Sequence, residues 1–143
     1  MLELYHNINS VCAQKVRIAL HEKRRNAKEH LLKLQGDQND PAYLKLNSNG
    51  VVPTLVHDGN VVTESSLILY YIDDTFPDPP LMPKTPAARH RVRLYNKLVD
   101  EYVHNSCTII TFATAFRPLL SQDGAGTMAR RDQQSPVEAA RRI

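Results

Sequence analysis

The sequence predicts an α/β fold, in which strands and helices alternate, followed by the beginning of an all-α domain. Three observations support this prediction: short apolar runs bounded by turn residues, helical spacing of apolar residues between those runs, and an unbroken helical pattern after a proline-rich stretch. The chain has 143 residues, of which 42% are hydrophobic, so it can build one ordinary domain and a piece of another.

The first elements along the chain are a strand, a helix, a strand and a short helix. Residues 2–6 read as a strand, and residues 29–33 predict a second one. Between them, apolar residues recur at helical spacing: Val11, Cys12, Val16, Ala19 and Leu20. Asp40-Pro41 opens a short helix through Leu46, because proline is tolerated in a first helical turn.

A hairpin and a third helix follow. Asp58-Gly59 is a strong hairpin signal, and it is flanked by strand-like residues 54–57 and 60–63. Ser65 can cap the next helix, which ends before the proline-rich residues 76–80. The complete predicted order is therefore β-α-β-α-β-β-α.

A polar, proline-rich stretch divides the chain into two regions. Residues 78–86 have the composition of a linker. We therefore predict a first domain over residues 1–77 and an incomplete all-helical C-terminal domain over residues 87–143.

One long amphipathic helix is predicted after the linker. Its apolar residues follow helical spacing without interruption from Ala87 to near Pro118, and a further helical pattern begins at Pro136. The apolar face comprises Val92, Tyr95, Val99, Tyr102, Ile109 and Phe116. We expect a second copy of the chain or further residues to cover this face.

Composition argues against several classes of partner. The net charge of +3 comes without interleaved aromatic residues or a nucleic-acid motif, so we expect no nucleic acid partner. No apolar run approaches the roughly 20 residues that span a bilayer, and the first residues are strand-like, so we expect no membrane partner and a cytoplasmic location. Cys12 and Cys107 form no disulfide framework, and the histidines lack metal-site spacing, so we expect no metal.

Three patches, taken together, resemble the cytosolic glutathione transferase family. Residues 10–20 (SVCAQKVRIAL) look like the first-helix motif of its serine-type members, particularly the zeta and tau classes. Residues 47–55 are similar to the family's loop before a cis-proline, and residues 62–66 to its γ-glutamyl-binding turn. Residues 57–76, with Asp100-Glu101-Tyr102 later in the chain, also look like bacterial β-aryl-etherase-type transferases. The resemblance implies a thioredoxin-like first domain.

The resemblance also implies a site for glutathione as co-substrate. Ser10 is the implied catalytic residue, because its hydroxyl can donate a hydrogen bond to the glutathione sulfur while the helix dipole favours the thiolate. The implied glutathione-binding residues are Val52, Pro53, Glu64, Ser65 and Gln38. A cis peptide at Pro53 would turn the backbone of Val52 towards the cysteinyl part of the ligand.

The residues themselves leave alternatives open. Serine is a favoured helix cap, so Ser10 also fits a purely structural role, and Glu64-Ser65 also fits an ordinary helix start. By its own chemistry Pro53 favours the trans form, since only about 5–6% of such bonds are cis. Cys12 is the alternative nucleophile, but we expect a buried, inert thiol on the apolar stripe with Val16 and Ala19.

Two classes of function follow from the resemblance. The first is a glutathione transferase that activates the glutathione thiol for attack on a small electrophilic or ether substrate, in a homodimer. The alternative is a non-catalytic binding or interaction module of the same fold, or a truncated inactive fragment.

Overall fold

A computed structural model describes residues 1–116 of the chain. The first part contains strands β1 (Leu2–His6), β2 (Lys28–Leu31), β3 (Thr54–His57) and β4 (Asn60–Val62). Its helices are α1 (Val11–Glu22), α2 (Pro41–Leu44) and α3 (Ser65–Thr75), with a 3-10 turn at Asp37–Asn39. The predicted order β-α-β-α-β-β-α is confirmed.

The four strands form one mixed sheet in the order β2-β1-β3-β4. β1 runs parallel to β2 and antiparallel to β3, and β3 pairs antiparallel with β4. The parallel pair requires a crossover, which α1 supplies. The hairpin turn between β3 and β4 is Asp58-Gly59, as its sequence predicts, and both residues have positive φ angles, 49° and 84°.

The main core lies between one face of the sheet and helices α1 and α3. Leu4, Leu55, Ile68 and Ile72 are almost completely buried there, together with Val16 of α1. The opposite face of the sheet carries a smaller cluster under α2, formed by Leu32, Tyr43 and Val52. Since strand side chains alternate between faces, Tyr5 packs on this second cluster while its neighbour Leu4 belongs to the first.

The buried face of α1 differs from the predicted stripe. Ala13, Val16, Ala19 and Leu20 are buried, whereas Val11 is 64% exposed. Cys12 is half-buried, so the expected burial of this thiol is wrong, while its expected inertness stays a prediction. Ala13, in the adjacent position, is completely buried instead.

The helical region after the linker is not a uniform α-helix. α4 (Pro86–Leu98) and α5 (His104–Thr111) are joined by a π-helical segment, Val99–Val103, and a second such segment covers Phe112–Phe116. The predicted single helix assumed a constant period, which wider turns interrupt. The side chain of Phe116, the helix end near Pro118 and the helix predicted from Pro136 lie outside the described residues.

The chain divides into two compact units, Met1–Val92 and one that begins at Arg93. The division into residues 1–77, 78–86 and 87–143 stays a prediction. Within the described residues, no helix is long and apolar enough to span a membrane.

Candidate functional site

Ser10 lies in the loop between β1 and α1 and is the N-cap residue of α1. Its Oγ accepts a hydrogen bond from the backbone N–H of Ala13 (3.2 Å), and its own N–H donates to the carbonyl of Asn7 (3.2 Å). A serine hydroxyl has one donor and two acceptor lone pairs. The cap therefore uses an acceptor site, and the O–H of Ser10 can still donate to another group.

The start of α1 provides a positive electrostatic environment around Ser10. The first N–H groups of a helix have no intrahelical partner and carry the positive end of the helix dipole. No acidic residue occurs in the first turn of α1 to neutralise that end. An anion next to Ser10, such as a thiolate, would therefore be stabilised.

The loop before β3 presents the backbone of Val52. The Val52-Pro53 peptide is cis, the form that the family resemblance implies. The preceding carbonyl, that of Val51, accepts hydrogen bonds from Tyr43 Oη (2.7 Å) and Asn47 Nδ2 (2.9 Å). Among the described residues, the hydrogen bonds of this loop involve no backbone group of Val52. Both of its polar groups can therefore serve a ligand.

A buried polar network holds this loop in place. Tyr43 Oη and Asn47 Nδ2 also lie within hydrogen-bond distance of Thr54 Oγ1, at 2.9 and 3.0 Å. All three residues are buried. Burial also raises the pKa of the Tyr43 hydroxyl, so that it stays protonated and keeps its donor role.

Glu64 and Ser65 begin α3, but their roles are exchanged relative to the expectation. The cap position is occupied by Glu64, and Ser65 is the first helical residue, so the prediction of Ser65 as the cap is wrong. Glu64 has a φ of 64° and its side chain makes no capping hydrogen bond. A non-glycine residue in this left-handed region costs about 1–3 kcal/mol, and such residues cluster at ligand sites. The Glu64 carboxylate therefore does not cap α3, so it and the first-turn N–H groups of α3 can each contact a different group.

Lys15 adds a positive charge near the start of α3. Its Nζ donates to Ser66 Oγ at 2.9 Å, which joins α1 to the first turn of α3. Sequence reasoning missed this contact because the two residues are 51 positions apart. No local pattern indicates it.

Gln38 is half-buried in the 3-10 turn before α2. Its Oε1 accepts from the N–H of Gly36 at 2.9 Å, which leaves the side-chain amide group as a donor. The turn lies against the loop that precedes Val52, since a Cβ added to Gly50 would be 3.2 Å from the carbonyl oxygen of Gln38.

Strand register places the Ser10 loop, Pro53 and Glu64 at one end of the sheet. Tyr5 pairs with Thr54, so the loop that carries Ser10 begins next to the start of β3, where Pro53 lies. Leu55 pairs with Val62, and Pro53 and Glu64 each lie two residues beyond that pair at the same end. The three loops therefore lie at the same end of the sheet. Within the described residues, no group of three or more metal-ligating side chains occurs.

A mixed four-stranded sheet with α1 and α3 on one face and α2 on the other, and with three loops at one end, defines a thioredoxin-like domain. A family model described as "Glutathione S-transferase, N-terminal domain" matches residues 4–80. The chain therefore belongs to the glutathione S-transferase family and contains its N-terminal domain.

Individual proteins that are similar to this chain are consistent with this family assignment. The chain is 42% identical to Glutathione S-transferase Z2 of Arabidopsis thaliana over 83 residues, 57% of this chain and 37% of that protein. It is 38% identical to the Probable maleylacetoacetate isomerase of Caenorhabditis elegans over 96 residues, 67% and 45% of the two chains. The crystal structure of Beta-etherase LigF from Sphingobium sp. strain SYK-6 is similar with a TM-score of 0.76 and 33% identity, covering 80% of this chain and 48% of that one. The chain thus spans less than half the length of each.

Proposed function

We propose that this chain binds glutathione at the loop end of its sheet and activates the thiol for attack on a small electrophilic or ether substrate. The observation that carries the proposal is the convergence of the Ser10 loop, the Val52 loop and the start of α3. These three features match the three chemical parts of glutathione: a thiol, a peptide backbone and an amino-acid end.

Ser10 is proposed to stabilise the glutathione thiolate. Its O–H donates to sulfur while its Oγ keeps the cap with Ala13, so the capping and catalytic roles are compatible. A hydrogen bond to a charged group is worth about 1.5–3 kcal/mol. Since one pKa unit corresponds to about 1.4 kcal/mol, this bond would lower the thiol pKa by roughly 1–2 units.

The rest of the tripeptide is proposed to bind along the other two loops. The N–H and C=O of Val52 pair with the cysteinyl part as an added strand does, because the hydrogen bonds of the described loop leave both groups unused. Glu64 accepts a hydrogen bond from the α-ammonium group. Ser65 and the first-turn N–H groups of α3 bind the adjacent carboxylate. Gln38 is proposed to donate from its amide group.

The substrate class is proposed from the relatives. Similarity to Glutathione S-transferase Z2, to a probable maleylacetoacetate isomerase and to the beta-etherase LigF supports a serine-type transferase that acts on small electrophilic or ether compounds. A homodimer is also proposed. Large apolar side chains on the helical region support it, since Tyr95, Tyr102 and Ile109 are more than 60% exposed.

The test measures the thiol pKa of bound glutathione. Thiolate absorbance is followed against pH for the 143-residue chain and for three variants, with affinity measured by calorimetry. Ser10→Ala should raise the pKa of the bound thiol by about 1–2 units. Ser10→Thr, which keeps a hydroxyl and a cap, should retain most of the shift, and Cys12→Ala should leave it unchanged.

Affinity should change little in these variants, because the proposed anchoring contacts come from Val52, Glu64 and Ser65. Ser10→Ala also removes the helix cap, which costs about 1 kcal/mol of stability, so folding is checked by circular dichroism. If Cys12→Ala abolishes the shift and Ser10→Ala preserves it, the serine mechanism is wrong and a cysteine mechanism replaces it. Absence of glutathione binding to the chain would overturn the proposal altogether.

A further inference from the structure

Asn7 connects the end of the sheet to the loop that carries Ser10. It follows directly after β1, and its side-chain amide is half-buried. Nδ2 donates to the carbonyl of Leu32 at 2.7 Å, and Oδ1 accepts from the backbone N–H of Asn9 at 2.8 Å. The backbone carbonyl of Asn7 accepts the N–H of Ser10 at 3.2 Å. Asn7 thus contacts two points of the loop and one point outside it.

The partner of Asn7 outside the loop is itself fixed. Leu32 is buried, and its N–H donates to the carbonyl of His6 at 2.8 Å, which continues the pairing of β2 with β1. The carbonyl of Leu32 therefore lies directly after β2, at a position held by this hydrogen bond to β1. Through Nδ2, Asn7 ties the β1–α1 loop to this acceptor across 25 residues of sequence.

The side-chain amide has a single orientation that satisfies both contacts. Nδ2 carries only donors and Oδ1 only acceptor lone pairs. With the amide reversed, an oxygen would face the carbonyl of Leu32 and an NH2 group would face the N–H of Asn9. Repulsion between like groups excludes that arrangement, so the position of the loop relative to the sheet is determined.

Ile8, the loop residue directly after Asn7, makes a longer hydrogen bond. Gln14 Nε2 donates to the carbonyl of Ile8 at 3.4 Å from the exposed side of α1. The Gln14 contact joins the loop to α1 and not to the sheet. The hydrogen bonds of Asn7 to Leu32 and to the N–H of Ser10 are therefore the main connection between the cap of α1 and the sheet. A shift of this loop would move the Ser10 hydroxyl relative to the backbone of Val52, which lies in the loop before β3.

We propose that Asn7 is the positioning residue for Ser10, which it holds so that the hydroxyl reaches the sulfur of glutathione bound to Val52. This inference rests on the proposed glutathione function of the site. Asn7 itself does not touch the substrate in this scheme. It acts through Ser10, and its loss should affect the thiolate more than the binding of the tripeptide.

The experiment compares Asn7→Ala and Asn7→Ser with Asn9→Ala in the 143-residue chain. Asn9→Ala is the matched control, because it removes an exposed amide from the same loop and keeps the N–H that Asn7 binds. Asn7→Ser keeps a side-chain oxygen that can accept a hydrogen bond from the N–H of Asn9. If Asn7→Ala unfolds the chain, Asn7→Ser is compared with the parent and with Asn9→Ala instead. The measurements are the thiol pKa and the affinity for glutathione.

Asn7→Ala should raise the pKa of the bound thiol by about one unit, a roughly tenfold decrease in its acid dissociation constant, with affinity for glutathione within about threefold of the parent. Asn7→Ser should give a smaller rise and Asn9→Ala none. In a Ser10→Ala background, Asn7→Ala should add nearly nothing, because the residue through which it acts is gone.

Two results would overturn the proposal. One is an Asn7→Ala effect on the thiol pKa that is equally large with and without Ser10. The other is a loss of affinity with an unchanged thiol pKa, which describes a merely structural residue. Failure of the proposed function is distinguishable, because the parent chain itself would then show no lowered thiol pKa.

Discussion

Replacement of Lys23 tests how much a buried ion pair contributes to the stability of the first domain. Lys23 lies at the end of α1, is only 2% exposed, and forms an ion pair with Asp73 of α3. Its Nζ also donates to the carbonyls of Phe76 and Pro79, both at 2.6 Å. All three donors of the ammonium group are therefore used. Asp73 in turn accepts from the N–H groups of Leu81 and Met82, at 2.8 and 3.2 Å.

The expected cost of breaking this pair follows from its burial. Removing one partner of a buried ion pair typically costs about 3–5 kcal/mol, because the other charge is left uncompensated. Asp73→Asn leaves a buried ammonium group, so we expect a value within this range. Lys23→Met leaves a carboxylate that keeps two N–H donors and is 11% exposed, so we expect about 3 kcal/mol, the lower end.

The double variant tests whether the two groups act as a pair. Lys23→Met with Asp73→Asn leaves no buried charge, so its cost should fall short of the sum of the single costs by about 1–3 kcal/mol. Lys28→Met is the matched control, since Lys28 is 62% exposed and 4.0 Å from Glu3. Its cost should stay below about 1 kcal/mol.

The assay is urea unfolding followed by circular dichroism, because the chain contains no tryptophan. The reasoning would be refuted if Lys23→Met lowered the free energy of unfolding no more than the control does. It would also be refuted if the two single costs added without coupling.

The ion pair should also make stability depend on pH. Burial raises the pKa of Asp73, but hydrogen bonds from Lys23 and from the N–H of Leu81 outweigh it and hold the pKa below its usual value. The contribution is therefore complete above the unfolded value of about 3.9 and is lost as the pH falls through the folded value. The stability difference between the parent chain and Lys23→Met should be constant above about pH 5 and shrink below about pH 4.

Two further predictions concern the site and the helical region. Glu64→Gly should stabilise the domain by about 1 kcal/mol, because glycine adopts a positive φ without a steric penalty, yet it should weaken glutathione binding. Denaturant unfolding measures the stability and calorimetry measures the affinity. An unchanged affinity for glutathione would show that Glu64 is not part of the site. The chain should sediment as a dimer, and Ile109→Glu should shift it towards monomer, because Ile109 is 70% exposed on an apolar face; a parent chain that stays monomeric would contradict this.

The sequence alone predicted the element order of the first domain. Short-range signals carry this information: the period of apolar residues, Pro41 in a first helical turn, and Asp58-Gly59 between β3 and β4. Each depends on the backbone preferences of a few adjacent residues, so it can be recognised without knowledge of the fold. Ser10 could be predicted as a helix cap in the same way, because serine is a favoured cap directly before a helical pattern.

The sequence was less informative where position within an element decides the outcome. Cys12 and Ala13 are adjacent, and only packing of α1 on the sheet determined that Ala13 is buried and Cys12 half-exposed. In the same way, the start of α3 moved by one residue, which made Glu64 the cap. A constant helical period also does not reveal the wider turns at Val99–Val103.

The tertiary structure alone decided the connections between distant residues. Asn7 binds Leu32, Lys15 binds Ser66, and Lys23 pairs with Asp73, at separations of 25, 51 and 50 residues. Lysine and asparagine are ordinarily surface residues, so composition gave no reason to place Lys23 inside. Their partners are set by which helix crosses which strand, because a buried donor must find an acceptor wherever the packing brings one within about 3 Å.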